Sequence, residues 1–312
     1  MINKNSLEKR FSVGLCLNES AEDLQVFLER NRKWLNSVYF SLPLGDRFFS
    51  RESLVQEYSN SEDKLFTVLE LLAQFGIRRE MAINTWDLTQ SEIDRAIRYC
   101  DSWKLQPEEI VCLRDYGDAF RAAFPNAEIK YSVNNPESDG KHITKAFHTL
   151  VAGKGLLRDM AARHHFLEQG YGITILLNNG CLSICNTACE VIHCHRYFEL
   201  MINKYGLDYT YALCSFFPSE LQALLTCDPH SNRYKFKISN RPLGLNYTQQ
   251  VLDSYLSLMD DYSSMQEDFR KMALFCTARP LAIRLQQVDL PRVREYKTKW
   301  LMELKNGTNR ET

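Results

Sequence analysis

The sequence of 312 residues lacks the features that mark membrane, secreted and strongly charged proteins. No apolar run approaches the ~20 residues that a transmembrane helix needs. The first residues, MINKNSLEKRF, contain no apolar signal segment, so we expect a cytoplasmic protein without a membrane partner. A net charge of −1 provides no field that would favour a nucleic-acid partner.

Several well-known catalytic motifs are also missing. There is no Gly-x-Ser-x-Gly elbow and no His-Glu-x-x-His, which argues against standard serine hydrolases and metalloproteases. No Gly-rich phosphate loop follows any predicted strand, which argues against a nucleotide-binding doubly wound domain. Internal repeats, low-complexity tracts and flexible linkers are absent too, so we predict a single domain over 1–312.

The order of predicted elements indicates the fold class. Short apolar runs alternate with segments of helical periodicity along most of the chain, which is typical of a parallel sheet with helical crossovers. The predicted strands are 11–17, 38–42, 81–85, 109–113, 129–133, 155–157, 173–177 and 233–239. Eight such units favour an α/β fold, a (β/α)8 TIM-like barrel over about 10–245, with a helical C-terminal extension over about 246–305. An open doubly wound sheet is the alternative.

Local signals predict where the helices begin and end. Ser20, with Asp23 three residues later, is expected to cap the first helix, and Ser91 a later one. Residues 142–150 are expected to be helical. His164 and His165 fall on a helix before the seventh strand and are interpreted as a surface pair, because no partner is evident nearby.

Polar residues follow most of the predicted strands, at the end where TIM barrels carry their reactive groups. Asn and Asp are also turn residues, so the end of a strand explains many of them without any function. Three arginines, Arg114, Arg158 and Arg241, would form a pocket for an anionic ligand such as a carboxylate. The other candidates at these ends include Asp115, Asp159 and Asn178.

The segment after the seventh strand, NNGCLSICNTACEVIHCH, is unusually rich in metal ligands. It contains Cys181, Cys185, Cys189 and Cys194, and six of the ten cysteines of the chain fall between 181 and 227. In a reducing compartment such cysteines are not disulfide staples. A strand that ends in a turn and then offers soft ligands is typical of a metal site.

The spacing predicts how these ligands converge. Thr187 and Glu190 fit a capping box, which predicts a helix that begins near Ala188. Cys189 then lies in the first turn, where free amides and the helix dipole favour a thiolate. Cys181 and Cys185 precede that turn. The fourth ligand remains open among Cys194, His193, Cys214 and Cys227.

Three interpretations of the cysteines remain. Spacing of the CxxxCxxxC kind in a loop at a barrel rim fits a [4Fe–4S] cluster. Zinc is the alternative metal, although structural zinc sites usually show two CxxC knuckles. The third interpretation is a stripe of structural cysteines in the core, against which the turn Asn178-Asn179-Gly180 argues. The spacing also differs from the CxxxCxxC pattern of radical-SAM enzymes.

The segment EEIVCLRDYGDAFRAAFPNAEIKYSVNN resembles the collagenase-like peptidase family. In that family a strand ends near Asp-x-Gly, a helix ends in Phe-Pro and the next strand ends in Ser. Asp115, Gly117, Phe124-Pro125 and Ser132 stand at those places. The run LLNNGCLSIC is similar to the Asn-x-Gly-Cys-Leu-x-x-x-Cys version in stand-alone bacterial members, in which an Arg-Pro, here Arg241-Pro242, follows the last strand.

This resemblance implies a TIM-barrel-like fold and a cysteine-bound [4Fe–4S] cluster. Members of the family resemble oxygen-independent hydroxylation factors for RNA bases or ubiquinone precursors. We therefore expect an iron–sulfur enzyme that performs an oxygen-independent hydroxylation or a related modification of an anionic small molecule or RNA base. Its expected partner is an anionic small-molecule substrate or oxygen donor. The alternatives are a metal-stabilised scaffold subunit with a partner protein, and a peptidase-type hydrolase. The candidate catalytic residues are Asp115, Arg158 and Asp159, the cofactor-binding ones Asn178, Arg114 and Arg241, and the metal ligands Cys181, Cys185, Cys189 and Cys194.

Overall fold

The structure is a computed structural model in which eight parallel strands form one closed barrel. It describes residues 4–15, 17, 19–42, 44, 62–85, 87–135, 140, 142–153, 156–157, 159–178, 203–204, 216–239 and 244–260. Each strand pairs with the next along the chain, and β1 pairs with β8 to close the sheet. The predicted (β/α)8 TIM-like barrel is therefore confirmed.

The strands are short and lie close to the predicted positions. Their bounds are β1 Phe11–Gly14, β2 Leu35–Phe40, β3 Arg78–Ile83, β4 Glu109–Cys112, β5 Glu128–Tyr131, β6 Thr149–Ala152, β7 Gly172–Leu176 and β8 Tyr234–Lys237. Almost all of their residues are buried, because helices cover the outside and side chains fill the lumen.

Helices follow most of the strands in the described part of the chain. They are α1 Ala21–Asn31, α2 Glu62–Gln74, α3 Gln90–Ser102, α4 Gly117–Ala123, α5 Met160–Glu168, α6 Pro218–Cys227 and α7 Gly244–Asp260. Helix α7 covers the start of the expected C-terminal extension, and the rest of that extension lies outside the described residues. Among the described helices we find no candidate for a membrane-spanning segment.

The helix caps confirm one prediction and correct another. Ser20 caps α1, and its hydroxyl accepts a hydrogen bond from Asp23 N at 3.0 Å. Helix α3 is capped by Thr89 and not by Ser91, because Glu92 completes a capping box with Thr89. The Glu92 carboxylate accepts from Thr89 N at 2.8 Å. The decisive residue was therefore the glutamate three positions after the true cap.

The prediction around β6 was wrong in position and type. Thr149–Ala152 form the strand, whereas 155–157 were expected to, and 142–150 do not form a helix. Thr149 lies opposite Lys130 of β5 and Gly172 of β7. All four residues of β6 are buried, so the strand shows no alternation of polar and apolar residues. Periodicity alone does not separate such a run from a buried helix.

The two faces of the strands differ in chemistry. Residues such as Phe11, Val38 and Ile110 face the helices and belong to the main hydrophobic core. The lumen holds a small apolar cluster of Val111, Val151 and Leu176 together with polar and charged side chains.

The surface location expected for the histidine pair is wrong for one of its members. His164 is buried, and its Nε2 lies 3.3 Å from Asp228 Oδ2, whereas His165 is exposed. The partner that was missing from the local sequence comes from the end of α6.

Candidate functional site at the carboxyl-terminal rim

Asn178 lies at the rim, two residues beyond the end of β7. Its side-chain oxygen accepts a hydrogen bond from Ser239 N at 2.7 Å. Its amide nitrogen donates to Ser239 O at 3.3 Å and to the Tyr247 hydroxyl at 3.1 Å. The candidate cofactor residue Asn178 therefore joins the ends of β7 and β8 to helix α7.

A second set of polar contacts joins the ends of β3, β4 and β5. The Ser132 hydroxyl donates to Asn84 Oδ1 at 2.7 Å. Asn135 accepts from Arg114 N at 2.8 Å and donates to Ser132 O at 2.7 Å. Ser132 and Asn135 are buried, so these bonds hold the loops after β4 and β5 in place.

Arg114 and Asp115 lie together at this rim. Arg114 Nε is 3.1 Å from Asp115 Oδ1, and their side chains are 42% and 75% exposed. Both follow β4 in a 3-10 turn. The guanidinium is therefore accessible to an anion, and Asp115 is its neighbour.

Asp159 is placed at the start of α5. Its carboxylate accepts a hydrogen bond from Ala162 N at 3.0 Å and so caps the helix. The loop before it is held by a buried arginine, because Arg163 Nη1 donates to Leu157 O at 2.7 Å. The candidates Arg158 and Arg241 lie outside the described residues.

Arg163 is itself held by a buried polar cluster at Asp228. Arg163 Nε lies 3.1 Å from Asp228 Oδ2, and the Tyr234 hydroxyl donates to the same oxygen at 2.7 Å. Burial alone would raise the pKa of Asp228, but Tyr234, the His230 amide and the Arg163 and His164 charges lower it overall. The carboxylate thus stays ionised and fixes helix α5 against β8.

The cysteines Cys181, Cys185, Cys189 and Cys194 lie outside the described residues, as do the alternative ligands His193 and Cys214. The alternative ligand Cys227 is described; it is half-buried and ends α6. That helix is about 15 Å long and begins at the rim, so Cys227 is displaced toward the other end of the barrel. Within the described ranges, no three potential metal ligands cluster.

The residues that flank the cysteine segment are described. Leu177 O accepts a hydrogen bond from Phe216 N at 3.2 Å. The chain therefore leaves the barrel at the rim after β7 and returns to the same place before α6. Elsewhere, Cys100 and Cys112 are buried, and burial raises the pKa of the Cys100 thiol to about 12.

A charged network inside the barrel is the feature that the sequence analysis missed. Lys130 of β5 lies 2.7 Å from Glu80 of β3 and also contacts Glu109 of β4. Lys237 of β8 reaches the other oxygen of Glu80 at 2.5 Å. Because β8 and β3 are not neighbours in the sheet, this contact crosses the lumen.

The network continues toward the N-terminal ends of the strands. Arg78 and Lys235 both contact Glu109, at 2.7 and 2.9 Å, and both contact Glu128, at 3.0 and 2.8 Å. Their side chains are partly exposed, whereas those of Glu109 and Lys130 are fully buried. Charged side chains therefore fill the lumen, and those near the N-terminal ends of the strands are in contact with solvent.

Mutual pairing keeps these groups charged. Burial alone would raise the pKa of Glu109, but Lys130, Lys235 and Arg78 hold it well below its usual range. At Glu128, too, burial would raise the pKa, but Lys130 and Lys235 lower it to about 2. Burial would lower the pKa of Lys130, but the surrounding glutamates raise it overall. The surrounding carboxylates therefore hold Lys130 in its charged form.

A signal for this network was present in the sequence. Charges stand two residues apart in β3, β5 and β8, in RREMAI, EIKY and YKFK. Alternate positions of a strand share one face, so charges at that spacing in an otherwise buried strand indicate a polar lumen.

Comparison with known proteins identifies no family for this chain. No family model matches the chain, and no curated protein matches it. One similar solved structure is a U32 peptidase, at 8% identity and a TM-score of 0.41, covering 74% of this chain and 92% of its own. Another is a putative deoxyribose-phosphate aldolase from Toxoplasma gondii, at 12% identity and a TM-score of 0.41, covering 84% of this chain and 96% of its own. At these values neither likeness supports an argument about substrate or mechanism.

Proposed function

We propose that this chain is a (β/α)8 enzyme that holds a [4Fe–4S] cluster at its carboxyl-terminal rim. Cys181, Cys185, Cys189 and Cys194 are its ligands. The reaction is an oxygen-independent hydroxylation or a related modification of an anionic small molecule or an RNA base, as in the collagenase-like peptidase family that the sequence resembles.

The observation that carries this proposal is the hydrogen bond between Phe216 N and Leu177 O, which is 3.2 Å long. It anchors both ends of the cysteine segment at the end of β7. TIM-barrel enzymes carry their active sites at this end of the strands. The residues that flank the ligand-rich segment therefore lie at the end of the barrel where such enzymes carry their active sites, which supports the proposal.

The donor set fits the cluster, because four thiolates are the usual ligands of [4Fe–4S] centres. When bound, such a cluster supplies a redox centre or a Lewis acid. The chain itself contributes cations: Arg114 is accessible at the rim and its backbone nitrogen is fixed by Asn135. We propose that Arg114, Arg158 and Arg241 bind and orient the anionic substrate.

Each of the two alternatives depends on different residues at the rim. A scaffold subunit that binds a partner protein, stabilised by zinc or by a cluster, is favoured by the structural bonds of Asn135 and Asn178. A peptidase-type hydrolase would need Asp115 or Asp159 as its acid or base. Asp159 already accepts a helix-capping bond, which makes this alternative the weaker one.

Anaerobic purification followed by iron, sulfide and zinc analysis tests the proposal. We expect a brown protein with about four irons per chain and a broad charge-transfer absorption. Cys185→Ser should abolish the absorption, whereas Cys227→Ser, at the far end of α6, should retain it. A protein that contains zinc and no iron would support the scaffold, and a metal-free active protein would refute both metal hypotheses.

A further inference from the structure

We propose that the N-terminal end of the barrel binds single-stranded nucleic acid, with Lys9, Arg32 and Lys104 on its phosphates and Trp103 stacked against one of its bases. This surface lies at the opposite end of the strands from the proposed active site. The inference goes beyond the proposed function and requires no iron.

Positive charge collects in the turns that lead into β1, β2 and β4. Lys9, Arg32 and Lys104 lie in these turns, and all three are exposed. In the part of the chain that the structure describes, none of them forms an ion pair with a carboxylate. Glu8, the acidic neighbour of Lys9, is already paired with Lys33 at 3.0 Å. The net charge of −1 for the whole chain therefore conceals a locally positive surface.

Two of these cations lie close together. Lys9 Nζ donates to Gly76 O at 3.1 Å, which fixes its ammonium beside the end of α2. Lys9 N donates to Lys33 O at 3.0 Å, which brings the turn before β1 beside the turn that contains Arg32. Burial lowers the pKa of Lys9, and the charge of Arg32 lowers it further. An anion bound between the two cations would offset their repulsion, and a phosphate suits both side chains.

The backbone at Lys104 indicates that its side chain has a function. Helices α2, α3 and α5 end in the same hydrogen-bonded turn, in which the residue with positive φ is Gly76 (62°), Lys104 (52°) and Gly170 (94°), respectively. Glycine adopts this conformation without strain, whereas a lysine there costs free energy of folding. The helix dipole favours a cation near this end but does not require one at the left-handed position. Strain that is retained in this way is typical of functional positions.

An exposed tryptophan directly precedes Lys104. Trp103 is 42% exposed and is one of two large hydrophobic residues that are exposed in the described part of the chain. Its ring stacks on Phe66 of α2, with centroids 4.0 Å apart and 10° between the ring planes. The indole is therefore supported by a second ring and is still accessible to solvent. Proteins that bind single strands combine such aromatic platforms with cations along the backbone, because the faces of unpaired bases are free to stack.

The test measures fluorescence anisotropy of labelled oligouridylate RNA and oligothymidylate DNA, each about a dozen nucleotides long, with the full chain. We expect binding at low salt that weakens as salt is added, because phosphate contacts release counterions. The double variant Lys9→Met/Arg32→Met should lower affinity about tenfold and reduce the slope of log affinity against log salt by about 1.4, or about 0.7 for each phosphate contact. Trp103→Leu should lower affinity about fivefold without changing that slope. Binding of either strand supports the proposal, and the tighter one identifies the preferred sugar.

Lys104→Gly separates a loss of binding from a loss of folding. It should weaken nucleic-acid binding about threefold, because one phosphate contact is removed. Its thermal unfolding temperature should equal or exceed that of the wild type, because glycine relieves the left-handed conformation. Arg95→Met is the matched control: Arg95 is an exposed cation on the same helix, but it contacts Leu44 O after β2, toward the rim. Arg95→Met should bind like the wild type.

Three results would overturn the proposal. The first is a wild type that binds neither strand at low salt, and the second is unchanged affinity in both Lys104→Gly and the double variant. The third is binding to phosphatidylserine vesicles, lost in the same variants, without binding to nucleic acid; a membrane surface would then be the ligand. Tighter binding of an RNA duplex than of the single strand would overturn the role of Trp103. Iron content should be the same in all variants, so this proposal and the cluster hypothesis can fail separately.

Discussion

Lys130 is the residue on which the ionic lumen depends. It is fully buried and contacts both Glu80 and Glu109, which come from different strands. A buried ion pair is not in itself strong evidence for stability, because desolvation offsets the attraction. Removing one partner is different, since it leaves the remaining charges buried without compensation.

We therefore expect Lys130→Met to lower the free energy of unfolding by about 3–5 kcal/mol. Denaturant titration followed by circular dichroism measures the change. Lys33→Met is the matched control: Lys33 pairs with Glu8 at 3.0 Å, with both side chains about half exposed. That loss should stay within about 1 kcal/mol. Equal losses in the two variants would contradict a special role for the lumen.

The pH dependence of stability follows from the same residues. Folding lowers the pKa of Glu109 and Glu128, to about 2 for Glu128, so the stability they contribute is present above their unfolded pKa. It is lost as the pH falls through the folded pKa. We expect stability to decrease from about pH 5 toward pH 2, and Glu128→Gln to flatten this decrease. A wild-type curve that is level across that range would refute the prediction.

Helix α3 shows how a single N-cap determines where a helix begins. Thr89 N donates to the Glu92 carboxylate, and Glu92 N donates back to the Thr89 hydroxyl at 3.4 Å. Ser91 has a side chain of the same chemistry, but it lies inside the first turn. Thr89 and not Ser91 is the N-cap, because the Glu92 side chain reaches the backbone N–H of Thr89.

This assignment predicts unequal effects of two similar substitutions. Thr89→Ala should destabilise the protein by about 0.5–2 kcal/mol, the usual cost of losing an N-cap. Ser91→Ala should change stability by less than about 0.5 kcal/mol, as for most surface sites. Thermal and denaturant unfolding of both variants give the comparison. A larger loss of stability in Ser91→Ala than in Thr89→Ala would instead support Ser91 as the N-cap, as the sequence alone suggested.

At the scale of the whole molecule, helix α7 completes the ring of helices. It packs against α6 and α1, the last and first helices of the barrel proper. The Tyr255 hydroxyl donates to Phe216 O at 2.7 Å, and Arg30 of α1 pairs with Asp253 at 3.1 Å. Helix α7 therefore supports both the closure of the barrel and the point to which the cysteine segment returns.

Leu252→Ala should accordingly destabilise the entire barrel. Leu252 is fully buried on α7, and Leu→Ala in a core costs about 2–5 kcal/mol. Val26→Ala on α1, where the valine is 65% exposed, is the control and should be nearly neutral. Unfolding is followed by tryptophan fluorescence and circular dichroism together. If Leu252→Ala left stability unchanged, α7 would be an appendage and not part of the barrel.

Local sequence determined the alternation of strands and helices, most of their positions, the cap at Ser20 and the number of barrel strands. These follow from periodicity and from contacts between residues a few positions apart. The tertiary structure decided what local signals do not contain. It placed β6 between β5 and β7, gave His164 a carboxylate from α6, and brought Lys237 to Glu80 across the lumen. Such partners lie far apart in the chain, and only closure of the sheet brings them within bonding distance.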